Sequence, residues 1–482
     1  MKTPKPLLAF SLCCLLVLTA GAQQAKKIKL EFNDMKLKNG LRVLVVEDHS
    51  APVVSVAITY DVGSRNERKG RTGFAHLFEH MMFTGSQNVG RNEYSLLIAS
   101  NGGRANATTN ENRTLYVATV PSNQLDMILF LEADRMRSLD VTQESLDAQR
   151  NAVQEERRRE IDNQPYGKTT EMFQEFMYDN FAYRHSVFGS MDDLNAAGLQ
   201  DVKDFFRTYY APNNAVLALV GDVRADIALS RIKSYFETIP SQPSPPTVDT
   251  TEPEQTAGRR FAVEDPLARL PRVLIGYKGI ADNTPDTFAM QVLNQALASG
   301  QSSRLYQRLV KEKELANVVF GFTNELRGVG YYQITAIVAP GGKVEDVATV
   351  IDEEIRRLQR EPIADWELEK AKNSSRRLSI QALQSSLGTA IRLAQYEVFY
   401  NDPNLINAEF ERIAAVTKQD VQRVANKYLR ETTRTVGITL PQEKLPTPEP
   451  RRISCDIHSG FSSRFHRTTQ PRVLNFYRET RQ

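Results

Sequence analysis

Between Pro240 and Thr256 the chain reads PSQPSPPTVDTTEPEQT, with five prolines and almost no large apolar side chain. Such a segment cannot bury a core and behaves as a stiff, extended connector. On either side of it the same order of patterns recurs at a period of roughly 200 residues. Ahead of it lie apolar, β-branched runs at 41–46 (LRVLVV) and 53–60 (VVSVAITY), a helical stretch at 73–83 and an alternating stretch at 105–120. Long helical patterns at 124–138, 143–161 and 169–180 come next, then a closing strand at 215–220. Beyond it come a strand at 273–276, a helix at 287–298, strands at 318–322 and 331–338, helices at 344–358, 364–382 and 387–400, and a strand at 435–440. This predicts an α+β protein of two homologous domains, each with one mixed, mainly antiparallel sheet flanked by helices. The expected limits are 23–239, a linker at 240–258, and 259–441.

The ends of the chain read differently. Residues 1–22 carry Lys2 and Lys5, an apolar run from Leu7 to Thr19, then Ala20, Gly21 and Ala22, the small-x-small pattern of a cleaved secretory signal. The run falls short of the roughly 20 residues that span a bilayer. No later segment is long enough, so the mature chain is expected to lack an integral span and to be periplasmic or secreted. Cys13 and Cys14 leave with the signal, and Cys455 alone cannot form an internal disulfide, so each domain must be held by its core. Without Lys2 and Lys5 the 61 basic residues become 59, against 58 acidic ones. So balanced a charge excludes an electrostatic nucleic-acid binder. Seven arginines against Asp456 and Glu479 make 451–482 basic, and the whole of 442–482 is expected to be a disordered tail.

Six histidines occur, and two of them, His76 and His80, bracket Glu79 in GFAHLFEHMMFTGS. Taking His76 as 0° on a helix, His80 falls at about 40° and Glu79 at about −60°, while Phe74, Leu77, Phe78, Met81 and Met82 spread from about 100° to 240°. One face is core and the other presents two imidazoles and a carboxylate, the donor types that hold zinc. A catalytic zinc takes three protein ligands. Carboxylates, His49 and His185 are the candidates for the third. On the helix at 143–161, with Leu146 at 0°, Glu156 lies near −80° and Glu155 near 180°, which favours Glu156 as the ligand. A solvated charged face shared with Arg157, Arg158 and Arg159 is the alternative for both. With a metal in place, Glu79 could move a proton during attack of water on an amide carbonyl.

These residues resemble the pitrilysin/insulinase family of zinc peptidases, whose inverted motif His-x-x-Glu-His is matched by His76-Leu77-Phe78-Glu79-His80. The likeness is greatest to its short bacterial branch, similar to the mitochondrial processing peptidase. It runs from LKNGLRVLVVEDHSAPVVSV through NAVQEERRR and YYAPNNAVLALVGDV to AVTKQDVQRVANKYL. The resemblance implies the LuxS/metallohydrolase-like fold, two domains enclosing a chamber for unfolded peptides, and a catalytically inactive second domain. It implies one Zn2+ per chain, held by His76, His80 and Glu156, with Glu79 as general base. It also implies an edge strand at Asn106, Ala107 and Thr108 to which substrate would add as a further strand.

Two departures stand out. Many members carry a second Glu seven residues before the third ligand, where this chain has Gln149, which can still hydrogen-bond to the site but adds no charge. Self-sufficient members place an Arg and a Tyr in a later domain, and the similar segment here, LVKEKELANVVF, has Val310 and Asn317 there. A heterodimer with a non-catalytic homologous subunit is therefore expected, with a homodimer as the alternative. Two competing functions are a non-catalytic scaffold of the same fold and a zinc- or peptide-binding module that does not cleave.

Overall fold

Val53–Tyr60, buried almost throughout, is the third strand, β3, of a six-stranded sheet in the computed structural model, which describes residues 29–442. The expected signal at 1–22 and the tail from 443 onward lie outside the described residues. The other strands of this sheet are β1 (Asn33–Lys36), β2 (Arg42–Glu47), β4 (Arg104–Thr109), β5 (Thr114–Pro121) and β6 (Ala215–Gly221), in the order β1-β2-β6-β3-β5-β4. Only β2 and β6 run parallel; every other pair is antiparallel.

The second sheet contains β7 (Arg259–Asp265), β8 (Arg272–Ala281), β9 (Ala316–Asn324), β10 (Val329–Val338) and β11 (Arg434–Pro441), in the order β7-β11-β8-β10-β9. Its one parallel pair is β7 with β11. Set β1 aside and the sheets correspond strand for strand: β2 to β7, β6 to β11, β3 to β8, β5 to β10, β4 to β9. A repeat legible as a faint period in sequence is thus a repeat of topology. Residues 240–258 contain neither helix nor strand.

Four helices bear on the site and on the joining of the halves, α1 (Phe74–Met81), α2 (Gln143–Arg157), α3 (Gly167–Met177) and α5 (Ser386–Tyr400), while α4 (Pro285–Leu297) packs in the core of the second half. The helical pattern in the sequence runs α2 on to residue 161. Instead a π-helical turn, Arg158–Asp162, takes over, with Asn163 N–H bonding Arg158 O at 2.7 Å. The wider turn buries Ile161 while leaving Arg158, Arg159 and Glu160 in solvent.

Sheet strands buried on both faces need cover on both. One face of the first sheet packs on α1 and the helix Leu125–Ser138 from its own half. The other face, with Leu44, Val46, Ala57, Val216, Ala218 and Val220, packs on Ala390, Leu393 and Ala394 of α5, a helix of the second half. The second sheet receives the converse: Phe173 and Met177 of α3 pack with Phe261 and Leu274. Chain order alone would leave α3 and α5 with their own halves; the halves have exchanged them. Two glycines make room for α3. A Cβ on Gly276 would stand 2.6 Å from Phe173 Cζ and 2.4 Å from Met177 Cε, and one on Gly437 would stand 3.2 Å from Phe173 Cδ2. Polar contacts follow the same crossing, with Thr439 Oγ1 donating to Thr169 Oγ1 at 2.7 Å and the Ser55 and Ser386 hydroxyls 2.9 Å apart.

Candidate metal centre

Phe74, Leu77, Phe78 and Met81 bury the core side of α1, and the Phe78 ring lies 4.2 Å from that of Tyr210. This fixes the opposite side. His76 and Glu79 are themselves buried and His80 is half-buried, so the face that periodicity assigns to chemistry is a recess in the protein. The start of the helix has no side-chain cap, because Gly73 stands there at φ +83°. Glu67 supplies the acceptors from outside, taking the N–H groups of Gly73 and Ala75 at 2.8 Å each.

Helix α2 packs against α1 and brings Glu156 to the histidines. Glu156 Oε2 is 3.2 Å from His80 Nε2 and 3.7 Å from His76 Nε2. All three ligand atoms lie within 4.8 Å of one another, and no other such group of His, Cys, Asp and Glu occurs among the described residues. A tetrahedral zinc with legs of about 2.0–2.1 Å separates its ligand atoms by roughly 3.3–3.4 Å, which these spacings bracket. Burial lowers His76 to about 3, with His80 adding to the effect, and burial also lowers His80 against the pull of Glu156. Burial thus favours the neutral form of both rings, the form whose lone pair can coordinate a metal. Two neutral imidazoles and one carboxylate suit a borderline cation such as zinc.

Gln149, seven residues before Glu156 on α2, lies beside His80, where its side chain favours the protonated ring. Glu79 accepts a hydrogen bond from Thr109 Oγ1 at 2.5 Å. Burial pushes its carboxyl up to about 7, opposed by the Thr109 hydroxyl and by Arg113 and assisted by the charge of Glu156. Thr109 ends β4, the edge strand of the first sheet, on which Asn106, Ala107 and Thr108 face Val117, Tyr116 and Leu115 of β5. Among the described residues no strand pairs with the other side of β4. Asn106 and Thr108 are exposed and Ala107 is buried.

Other candidates stand elsewhere. Glu155 is exposed and ion-paired with Arg158. His49 is exposed, with Nδ1 at 2.7 Å from Asp222. His185 Nε2 lies 3.0 Å from Glu67, behind the start of α1. Val310 packs beside the second core and Asn317 is exposed on β9. Four contributors carry no signal in the sequence patterns above. They are Glu67 and Thr109, Phe188, whose ring meets His76 edge-on at 5.0 Å, and Arg157, which pairs with Glu171 at 2.5 Å and bonds Gly189 O at 2.6 Å. Thr109 is within reach of such reasoning, one residue past the edge-strand triplet. Glu67 is not, since six residues is no capping-box spacing.

Family models match both halves of the chain. The one described as Insulinase (Peptidase family M16) matches residues 42–190, and the one described as Peptidase M16 inactive domain matches residues 197–375. The chain is 32% identical over 430 residues to the zinc protease PqqE of Helicobacter pylori, covering 89% of this chain and 97% of that one. It is 24% identical over 424 residues to the probable mitochondrial-processing peptidase subunit beta of Arabidopsis thaliana, covering 85% and 78%. Among solved structures, a protease from Helicobacter pylori superposes with a TM-score of 0.83 at 31% identity, covering 86% of this chain and 100% of that one. The periplasmic protease PqqL of Escherichia coli shares the fold, with a TM-score of 0.70 at 18% identity over 86% of this chain but 48% of its own.

Proposed function

The chain belongs to peptidase family M16, the insulinase family, and from that premise we propose that it is a zinc-dependent metalloendopeptidase acting on peptides or unfolded polypeptides. The observation that carries the proposal is the convergence of His76 Nε2, His80 Nε2 and a Glu156 oxygen, with Glu79 buried alongside. His76, His80 and Glu156 would hold one zinc ion. When bound, zinc polarises a carbonyl and lowers the pKa of water towards about 7. Glu79, with a carboxyl near neutrality, takes a proton from the attacking water and returns it to the leaving amine. The substrate adds to the open side of β4 at Asn106, Ala107 and Thr108 through main-chain bonds. Thr109 then ties the base to the strand that carries the substrate. Gln149 keeps His80 oriented without adding charge.

The test is Glu79→Gln. Hydrolysis of an internally quenched peptide should fall by about 10²–10⁴-fold, while zinc content by mass spectrometry and thermal midpoint stay at wild-type values. Turnover at the wild-type rate would refute the assignment.

The assembly we propose is a chamber of two such chains, the second a homologous subunit that contributes substrate contacts. In this chain Val310 and Asn317 offer no cation or phenol for that purpose. Vigorous turnover by the purified chain as a monomer would overturn this. Export is the proposed route, with cleavage after Ala22, and a mature N-terminus at Gln23 by mass spectrometry is the expected result. Among the described residues no helix is long and apolar enough to cross a membrane.

A further inference from the structure

We propose that Glu67 and His185 are positioning residues for the metal helix. As a buried carboxylate and imidazolium pair they clamp the first turn of α1, and through Asn180 and Glu252 they fasten it to the second sheet. The inference rests on the reading of His76 and His80 as metal ligands, and it concerns what keeps those ligands in place.

The first N–H groups of a helix need acceptors. Gly73, in the left-handed region at φ +83°, offers no side chain. Glu67 takes Gly73 N–H on Oε2 and Ala75 N–H on Oε1, so one carboxylate spans the turn that leads directly into His76. Its side chain is fully buried. A carboxylate in that position is stable only with a counter-charge or enough donors.

His185 provides the counter-charge. Its Nε2 lies 3.0 Å from Glu67 Oε2 and 3.1 Å from Ser64 O, and its Nδ1 lies 2.9 Å from Phe181 O. Both ring nitrogens therefore face acceptors, and only a doubly protonated ring can donate from each. Glu67 and the two carbonyls raise the imidazole's pKa against the effect of its burial, in keeping with a cation.

The ring is held from the far side. It stacks on Phe181 at 4.5 Å, in a helical turn, Phe181–Arg184, capped by Asn180 Oδ1 accepting from Ala182 N–H at 2.9 Å. Asn180 N–H and Asp179 N–H donate to the two oxygens of Glu252 at 3.1 and 2.8 Å. Glu252 in turn pairs with Lys278 of β8 at 2.6 Å, both side chains buried. Polar contacts, joined through the backbone from Phe181 to Asn180, thus lead from the first turn of the metal helix to the second sheet. Functional groups must be held within about 0.5 Å of the productive geometry, so a frayed first turn would weaken the site without touching a ligand.

The test uses the full chain in three variants: Glu67→Gln, which leaves one acceptor oxygen for three donors; His185→Gln, which removes the cation; and Lys278→Met, at the far end. In metal-free protein, hydrogen exchange of the peptic segment over 73–82 should quicken at least tenfold in the first two, while β3 stays protected. Zinc affinity by chelator competition should weaken by about 10–100-fold, the range seen when groups supporting a ligand are lost. Lys278→Met should shift both readouts in the same direction by threefold or more. Folded Glu67→Gln or His185→Gln protein within twofold of wild type in exchange and affinity would overturn the clamp. If Glu67→Gln fails to fold, His185→Gln decides. Wild-type values in Lys278→Met alone would overturn the fastening to the second sheet. If wild-type protein bound no zinc, the metal reading would fail, and the exchange of the metal-free helix would still decide on the clamp.

Discussion

Adding one methyl group at Gly276 tests the exchange of helices between the halves. The Cβ of Gly276→Ala would come within 2.4 Å of Met177 Cε and 2.6 Å of Phe173 Cζ. Carbon atoms rest at about 3.5–4.0 Å, so the overlap is roughly 1 Å on two side chains with no route to solvent, Phe173 being 2% exposed and Met177 0%. Overpacking of this kind costs about 1–3 kcal/mol. Against it, replacing Gly with Ala where the backbone allows a side chain stabilises by about 0.4–1 kcal/mol through the unfolded state. The net expectation is a loss of between about 0 and about 2.6 kcal/mol, read from the midpoint of guanidinium unfolding at unchanged m-value. A cycle with Met177→Ala sharpens it. Alone, Met177→Ala should cost about 2–5 kcal/mol; in the Gly276→Ala background the cost should shrink by about 1 kcal/mol or more, because the new methyl occupies the vacated space. Stability of Gly276→Ala above wild type, or a Met177→Ala cost equal in both backgrounds, would refute the seating of α3 on the second sheet.

Gln149→Glu should tighten zinc binding by about tenfold, since a carboxylate beside His80 raises the basicity of the ring; chelator competition measures it. Thr109→Val removes a hydrogen bond to a charged group, worth about 1.5 kcal/mol or more, so kcat/KM should fall about tenfold with zinc content unchanged. Asp286 is held down to about 2: burial opposes ionisation, but Lys427, Tyr428 and Arg423 outweigh it. Because the unfolded chain takes up this proton first, near pH 3.9, the stabilisation is full above about pH 4 and is lost as pH falls towards 2. Asp286→Asn should be less stable at neutral pH and should lose less stability than wild type over that acid window in unfolding titrations.

Much of this architecture is legible in the sequence because strands with one strong signal announce themselves. The run at 53–60 is apolar, β-branched and bounded by turn residues, and β3 has those limits. Helical phase likewise separates Glu156 from Glu155, and the two do point apart, one towards the histidines and one to solvent. The helix Glu93–Ser100 escapes such reading because it buries only Tyr94 and Ile98 while exposing Leu96 and Leu97, so its apolar residues trace no face. Glu67 escapes for another reason: it acts on a turn six residues away, through a fold that brings the two together. The exchange of α3 and α5 leaves no periodic trace at all, since an apolar stripe states that a helix is covered and not by which sheet.

The exchange also governs the order of events during synthesis. When the ribosome has completed β6 at Gly221, every strand of the first sheet exists, yet the helix that covers its second face ends at Tyr400. At about 5–20 residues per second, the intervening stretch of about 180 residues takes roughly 9–36 s to appear. For that interval the nascent sheet presents Leu44, Ala57, Val216 and Ala218 without Ala390, Leu393 and Ala394, with Leu30 and Phe32 packed against the same cluster from the part already made. A half-made chain therefore can neither cover the first sheet nor assemble the second, whose strand β11 comes last of all.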